Sequence, residues 1–173
     1  MMKKKTKILF LTSKVQVEIA FPLLRWKKQL SDSGLEVIVR DHWKWGGTNN
    51  QPFDLVILSN PYCKKIRSDG QTTKEKIVEE IQNSKNFREK IALFDSRDGP
   101  ASNYLDLLPS LDLLIKKQVF KDLTFYSNEE YSLNHSPWLG RGNSPQPCAQ
   151  PTELNIISAG WNIALSDYSK YRK

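Results

Sequence analysis

The sequence predicts an α/β protein, a Rossmann-like three-layer sandwich on a mainly parallel sheet. Three observations predict it. Short apolar runs of strand length recur along the chain, the clearest being Ile8 to Leu11, Leu55 to Leu58, Ile91 to Phe94 and Leu111 to Ile115. Helical patterns fall between several of them, the alternation that builds a parallel sheet with helices on both faces. The runs also end in polar or charged residues, and open parallel sheets bind ligands in the crevice beyond the carboxyl ends of their strands.

The first strand is Lys7 to Ser13, an apolar run between basic and small polar residues. No glycine precedes Gly34, so the glycine-rich dinucleotide fingerprint that would open here is absent. Ile19 to Ser33 reads as one helix, with Ile19, Leu23, Trp26 and Leu30 on a shared face and Gly34 as its stop signal. On that pattern Trp26 is a core anchor. Glu36 to Arg40 is a β-branched second strand. His42, Trp43 and Trp45 follow it in a Gly- and Asn-rich loop, where packing within the loop is favoured over ligand stacking.

Phe53 to Ser59 is a third strand, closed by Asn60-Pro61. Thr72 and Glu75 have capping-box spacing, and Ile77, Val78 and Ile81 form the inner stripe of a second long helix. The fourth strand, Ile91 to Phe94, runs straight into Asp95, Ser96, Arg97, Asp98, Gly99 and Pro100. A short helix around Asn103 to Leu108, stopped by Pro109, leads to the fifth strand, which ends in Lys116 and Lys117. From Ser136 to Thr152 four prolines and two glycines with no periodicity mark a loop or linker. Leu154 to Ser158 fits a last short strand. The expected organisation is a Rossmann-like domain over 1–133, a Pro/Gly/Ser-rich linker over 134–153 and a C-terminal segment over 154–173.

A chain of 173 residues that is 39% hydrophobic and 26% charged can bury the core of a single domain. The net charge of +7 fits an anionic partner, whether nucleic acid, an anionic membrane surface or a phosphorylated small molecule, and a solvated basic surface explains it as well. Its lysines are scattered, with one tight run at Lys3 to Lys5, so the basic stripe with interleaved aromatics of a nucleic-acid binder is missing. Peripheral contact with an anionic membrane stays open. Two cysteines, Cys63 and Cys148, form no framework, and no apolar run approaches the roughly 18 residues of a membrane span. A reducing cytoplasm is the expected location.

No nucleophile elbow, phosphate-binding loop, HExxH or zinc spacing occurs. Asp95 and Asp98 beside Arg97 make a weak cation cage, so no metal is expected. The Arg97 charge keeps nearby carboxyls ionised. Asp95 to Pro100 also reads as a solvated turn; charged groups at two adjacent strand ends tip the balance toward a site.

Phe94-Asp95, Leu108-Pro109, Leu111 to Gln118 and Gly160-Trp161-Asn162 together resemble the N-terminal, acceptor-binding half of a GT-B glycosyltransferase. The resemblance is to family-one-like proteins of polysaccharide gene clusters, and it covers roughly Ile91 to Asp122 and Gly160 to Tyr168. It implies glycosyl transfer from a nucleotide-sugar to a glycan or lipid-linked acceptor, with no cofactor. Asp95 is then the first candidate for the base and Asp98 the second; Arg97, Lys116 and Lys117 bind anionic parts of the ligands, and Ser13 and Asn60 contact the acceptor. The sequence reaches Lys173 without a second such domain, so the resemblance implies either a truncated or split member or a partner chain carrying that domain, and in each case an isolated chain without transferase activity. A non-catalytic module that binds an anionic glycan or a partner glycosyltransferase is the alternative. Asp95→Asn is expected at this level to impair function more than folding.

Overall fold

The computed structural model describes residues 4–13, 19–41, 53–60, 62–63, 73–86, 89–97, 102, 104–128 and 148–160. Six strands form one sheet: β1 (Thr6–Leu11), β2 (Leu35–Arg40), β3 (Leu55–Ser59), β4 (Lys90–Asp95), β5 (Leu113–Lys116) and β6 (Ile157–Ala159). Their order is β2-β1-β3-β4-β5-β6, and every neighbouring pair is parallel. The fold is therefore the predicted Rossmann-like three-layer α/β sandwich. The last strand expected over Leu154 to Ser158 is present as Ile157–Ala159, the sixth strand of the same sheet, and it follows a 3₁₀ helix over Pro151–Ile156.

The order reverses once. From β1 the chain steps outward to β2, then returns across β1 to begin β3 and continues in the other direction. Right-handed crossovers on opposite sides of this reversal deliver their helices to opposite faces. One face carries α1 (Phe21–Arg25) and α2 (Lys27–Asp32), and the other carries α3 (Thr73–Asn86).

Strand alternation sorts the core accordingly. Leu9, Leu11, Val56, Leu58, Ile91, Leu93 and Leu114 point to the α3 face and pack with Ile77 and Ile81. Phe10, Ile57, Ala92, Phe94 and Ile115 point the other way, toward Ile19 and Ala20. The 3₁₀ helix Leu105–Ser110 adds Leu105, Leu107 and Leu108 to the α3 face. Pro109 lies inside this helix instead of stopping it; the six-residue segment ends one residue later, where the Leu111 N–H donates to the Leu108 carbonyl at 3.0 Å.

The predicted Ile19–Ser33 helix is broken. The first segment ends at Trp26, which caps α1 with φ −99° and ψ 19° before α2 resumes. A side-chain face counted across that break does not persist, so Trp26 is turned outward and is 55% exposed, while Phe21 is the buried aromatic of α1. Gly34, at φ 88°, makes the left-handed turn into β2 that the stop signal required.

At the amino edge of the sheet two aspartates fasten neighbouring strands. Asp54 accepts the Lys7 backbone N–H at 2.7 Å and donates its own N–H to the Lys7 carbonyl at 2.9 Å. Asp112 repeats this with Ile91, at 2.8 and 2.9 Å. This edge is occupied with holding register, which leaves the carboxyl edge for other work. Among the described residues no helix is long and apolar enough to cross a membrane.

Candidate functional site

The carboxyl ends of β1, β3, β4 and β5 bring Ser13, Asn60, Asp95 and Lys117 to one edge of one parallel sheet, as the apolar runs predict. Phe94 and Ile115 are register partners on adjacent strands. What lies at that edge is set by strand parity. Asn60 continues the Val56, Leu58 row, Asp95 the Ile91, Leu93 row, and Lys116 follows Leu114. All three therefore fall on the α3 side, where the apolar rows give way to a buried polar cluster.

Asp95 is its hub. The carboxylate is fully buried and accepts six hydrogen bonds from the described residues, three at each oxygen. Oδ1 takes Asn60 Nδ2 at 2.7 Å, Arg97 Nε at 2.9 Å and the Arg97 backbone N–H at 3.3 Å. Oδ2 takes Ser102 Oγ at 2.7 Å, Arg97 Nη2 at 2.9 Å and Lys116 Nζ at 2.9 Å. The Arg97 fork is bidentate, the strongest geometry for such a pair. Its guanidinium also lies over the Tyr104 ring at 5.1 Å. Ser102 Oγ in turn accepts the Tyr104 N–H at 3.3 Å, tying the hub to the start of the 3₁₀ helix.

Burial pushes the Asp95 carboxyl up, but its hydrogen bonds from Arg97 and Lys116 and both positive charges outweigh that, and hold it well below the usual carboxylate range. Burial pushes the Lys116 ammonium below its ordinary value, with Asp95 opposing. Burial lowers Arg97 as well, but the Asp95 contacts prevail and raise it. Tyr126, buried nearby, is pushed well above the ordinary phenol range by burial, with the Asp95 charge adding to the shift.

This arrangement sorts the predicted residues by physical role. Asp95 is ionised, sealed and saturated with donors, so in this geometry it is a weak proton acceptor and a strong organiser. Lys116 is the last residue of β5 and fully buried, with its ammonium directed at Asp95. Arg97 is the outermost member of the cluster, its side chain 29% exposed. Asn60 is buried, whereas Ser13 and Lys117 are half-buried beyond their strand ends. Asp98 lies outside the described residues, as do His42, Trp43, Trp45, Trp161 and Asn162.

Sequence reasoning missed Ser102, Tyr104 and Tyr126. Ser102 carried a signal, a hydroxyl just ahead of a predicted short helix, where side chains serve nearby backbone donors. Tyr126 carried none, since it follows a segment without periodicity. Among the described residues no group of acidic, histidine and cysteine side chains is arranged to hold a metal ion. No protein-family model and no curated protein matches this chain, so its chemistry is read from geometry.

Proposed function

We propose that this chain is a glycosyltransferase-like, acceptor-binding domain of polysaccharide biosynthesis, working in the cytoplasm, whose crevice at the carboxyl edge of β3, β4 and β5 receives an anionic glycan or lipid-linked acceptor. One observation carries the reading. A single buried carboxylate, Asp95, faces two cations, Arg97 and Lys116, so the cluster is formally positive and its outermost group, Arg97, is a cation. A positive charge at the carboxyl edge of a parallel sheet is suited to an anionic ligand.

Within this reading Asp95 positions Arg97, Asn60 and Ser102 and does not abstract a proton. A base for transfer, if this chain supplies one, comes from another residue of the crevice, Asp98 being the candidate from sequence. The same saturation of Asp95 favours, as the second reading, a module that binds an anionic glycan without transferring to it.

In the class this chain resembles, a second Rossmann-like domain grips the nucleotide. The domain described here is accordingly expected to bind nucleotide-sugars only in the millimolar range, about 4 kcal/mol. Calorimetric titration with UDP-, GDP- and CMP-sugars, beside phosphorylated glycan acceptors, tests this. Acceptor binding that is stronger than nucleotide-sugar binding and lost in Arg97→Gln supports the reading. A low-micromolar nucleotide-sugar site on this chain alone overturns it. Transfer activity on mixing with a second-domain partner separates the enzyme from the module.

A further inference from the structure

Asn60 is 2% exposed, and its amide is oriented without ambiguity. Its Nδ2 donates to Asp95 Oδ1 at 2.7 Å. Asp95 is an ionised carboxylate that can only accept, so the flipped amide would set oxygen against oxygen. The remaining atom, Asn60 Oδ1, is buried and accepts no hydrogen bond among the described residues. A buried carbonyl without a donor is costly, on the order of 1–3 kcal/mol, and native interiors keep few of them. This one sits in the cluster most suited to a ligand, one residue beyond the end of β3. It also flanks the point between β1 and β3 where the strand order reverses, the place at which ligands enter such sheets.

The second half of the site is Arg97. Its Nε and Nη2 are committed to Asp95, while Nη1 makes no hydrogen bond among the described residues and the side chain is the exposed member of the cluster. Arg97 and Asn60 share Asp95 Oδ1 as acceptor, at 2.9 and 2.7 Å. The same carboxylate oxygen thus holds the two side chains next to each other. With two cations already facing one carboxylate, the donor that satisfies Asn60 is neutral: a hydroxyl or an amide N–H, not an ammonium.

We infer that Asn60 Oδ1 and the Arg97 guanidinium form a subsite for a hydroxylated anion, a sugar phosphate, in which a sugar hydroxyl donates to Asn60 and the phosphate pairs with Arg97. Asp95 fixes both groups from behind. Entry is past Arg97, since Asn60, Ser102 and Lys116 are sealed from solvent. This rests on the anionic crevice proposed above and names what the crevice selects within the anions.

The test uses the whole chain and a matched pair of ligands, a hexose 1-phosphate and cyclohexyl phosphate, which has a similar ring but no hydroxyls. UDP-hexose and inorganic phosphate are titrated beside them. The wild type is expected to bind the hexose phosphate at least tenfold tighter than cyclohexyl phosphate. Asn60→Ala is expected to erase that difference while leaving inorganic phosphate affinity within twofold. Arg97→Gln is expected to weaken every phosphate compound. Asn60→Ser replaces Asn60→Ala should the latter fail to melt cooperatively. Equal affinity for the two ring phosphates in the wild type, or a preference that survives in Asn60→Ala, overturns the subsite; the first outcome marks the Asn60 oxygen as a water site and leaves the anionic crevice standing. Absence of any phosphate binding overturns both. Tighter binding of UDP-hexose than of the free hexose phosphate identifies the nucleotide-sugar, not an acceptor, as the source of the group.

Discussion

Asp95 and Lys116 are partners twice over. They are opposite one another in the β4–β5 register, and Lys116 Nζ meets Asp95 Oδ2 at 2.9 Å with both side chains sealed from solvent. Removing one member of such a pair leaves the other charge buried and uncompensated, which typically costs about 3–5 kcal/mol. The two removals differ here because Arg97 is also present. Without Asp95 two cations face each other; without Lys116 an Asp–Arg pair remains. Asp95→Asn is therefore expected to lower stability by about 3–5 kcal/mol, comparable with the ~2–5 kcal/mol of a core Leu93→Ala change, and Lys116→Met by clearly less. Urea unfolding of the three variants checks this. This outcome is the opposite of the one drawn from sequence, in which Asp95→Asn impairs function more than folding.

Acid should act through the same residue. The folded-state pKa of Asp95 is depressed, so the unfolded chain takes up its proton first as pH falls. The stability Asp95 contributes is complete above the ordinary carboxyl range and declines from about pH 4 downward, where the unfolded chain becomes protonated. Melting temperatures between pH 6 and pH 2.5 should fall more steeply in the wild type than in Asp95→Asn, which lacks the group.

Tyr126 has the opposite sign. Its folded pKa is raised, so it contributes stability that is present below the ordinary phenol pKa and lost as pH rises beyond it, when the unfolded chain ionises and the buried phenol cannot. Lys116 shifts the other way but is common to both proteins compared. Between about pH 9 and pH 11, Tyr126→Phe should lose less stability than the wild type, read by thermal unfolding in matched buffers.

Gly160 has no room for a side chain. A Cβ there would come within 2.8 Å of Phe94 Cε2 and closer still to the Ile115 methyl Cγ2, both buried on the face opposite the polar cluster. Its N–H also donates to the Lys116 carbonyl at 2.6 Å, so the backbone is held in place. Gly160→Ala should cost about 1–3 kcal/mol by overpacking, with the melting temperature as the readout.

Trp26 and Phe21 make a contrasting pair. Trp26→Ala should change stability by under about 1 kcal/mol, whereas Phe21→Ala, 5% exposed in the wild type, should cost about 3–5 kcal/mol.

The segment that carries these two residues shows where the sequence was legible and where it was not. Apolar periodicity located helical structure between β1 and β2, but not the break at Trp26, which arises from local backbone geometry that no stop residue announces. The central strands β3 and β4 were legible because they are buried on both faces and read as unbroken apolar runs. Their parity was also available: Leu58 with Asn60, Leu93 with Asp95 and Leu114 with Lys116 are each two apart, which places the polar residues on one face. What the sequence could not show is depth. Lys116 resembles any lysine at a strand end until the β4–β5 register sets it against Asp95 beneath Arg97. Ser102 enters the cluster through the path of a connecting segment, which side-chain periodicity does not encode.

The aspartate fasteners at the amino edge bear on how the chain reaches this state. Asp54 and Lys7 are separated by 47 residues, Asp112 and Ile91 by 21. Every strand pairing in a wholly parallel sheet must close a loop of this kind before it gains any contact, and such topologies fold slowly. The shorter closure, β4 with β5, also delivers Asp95 to Lys116. The Asp95–Lys116 pair of the charged hub thus depends on the shortest ring closure in its half of the sheet, and the entropy spent in bringing these two charges together is correspondingly the smallest there.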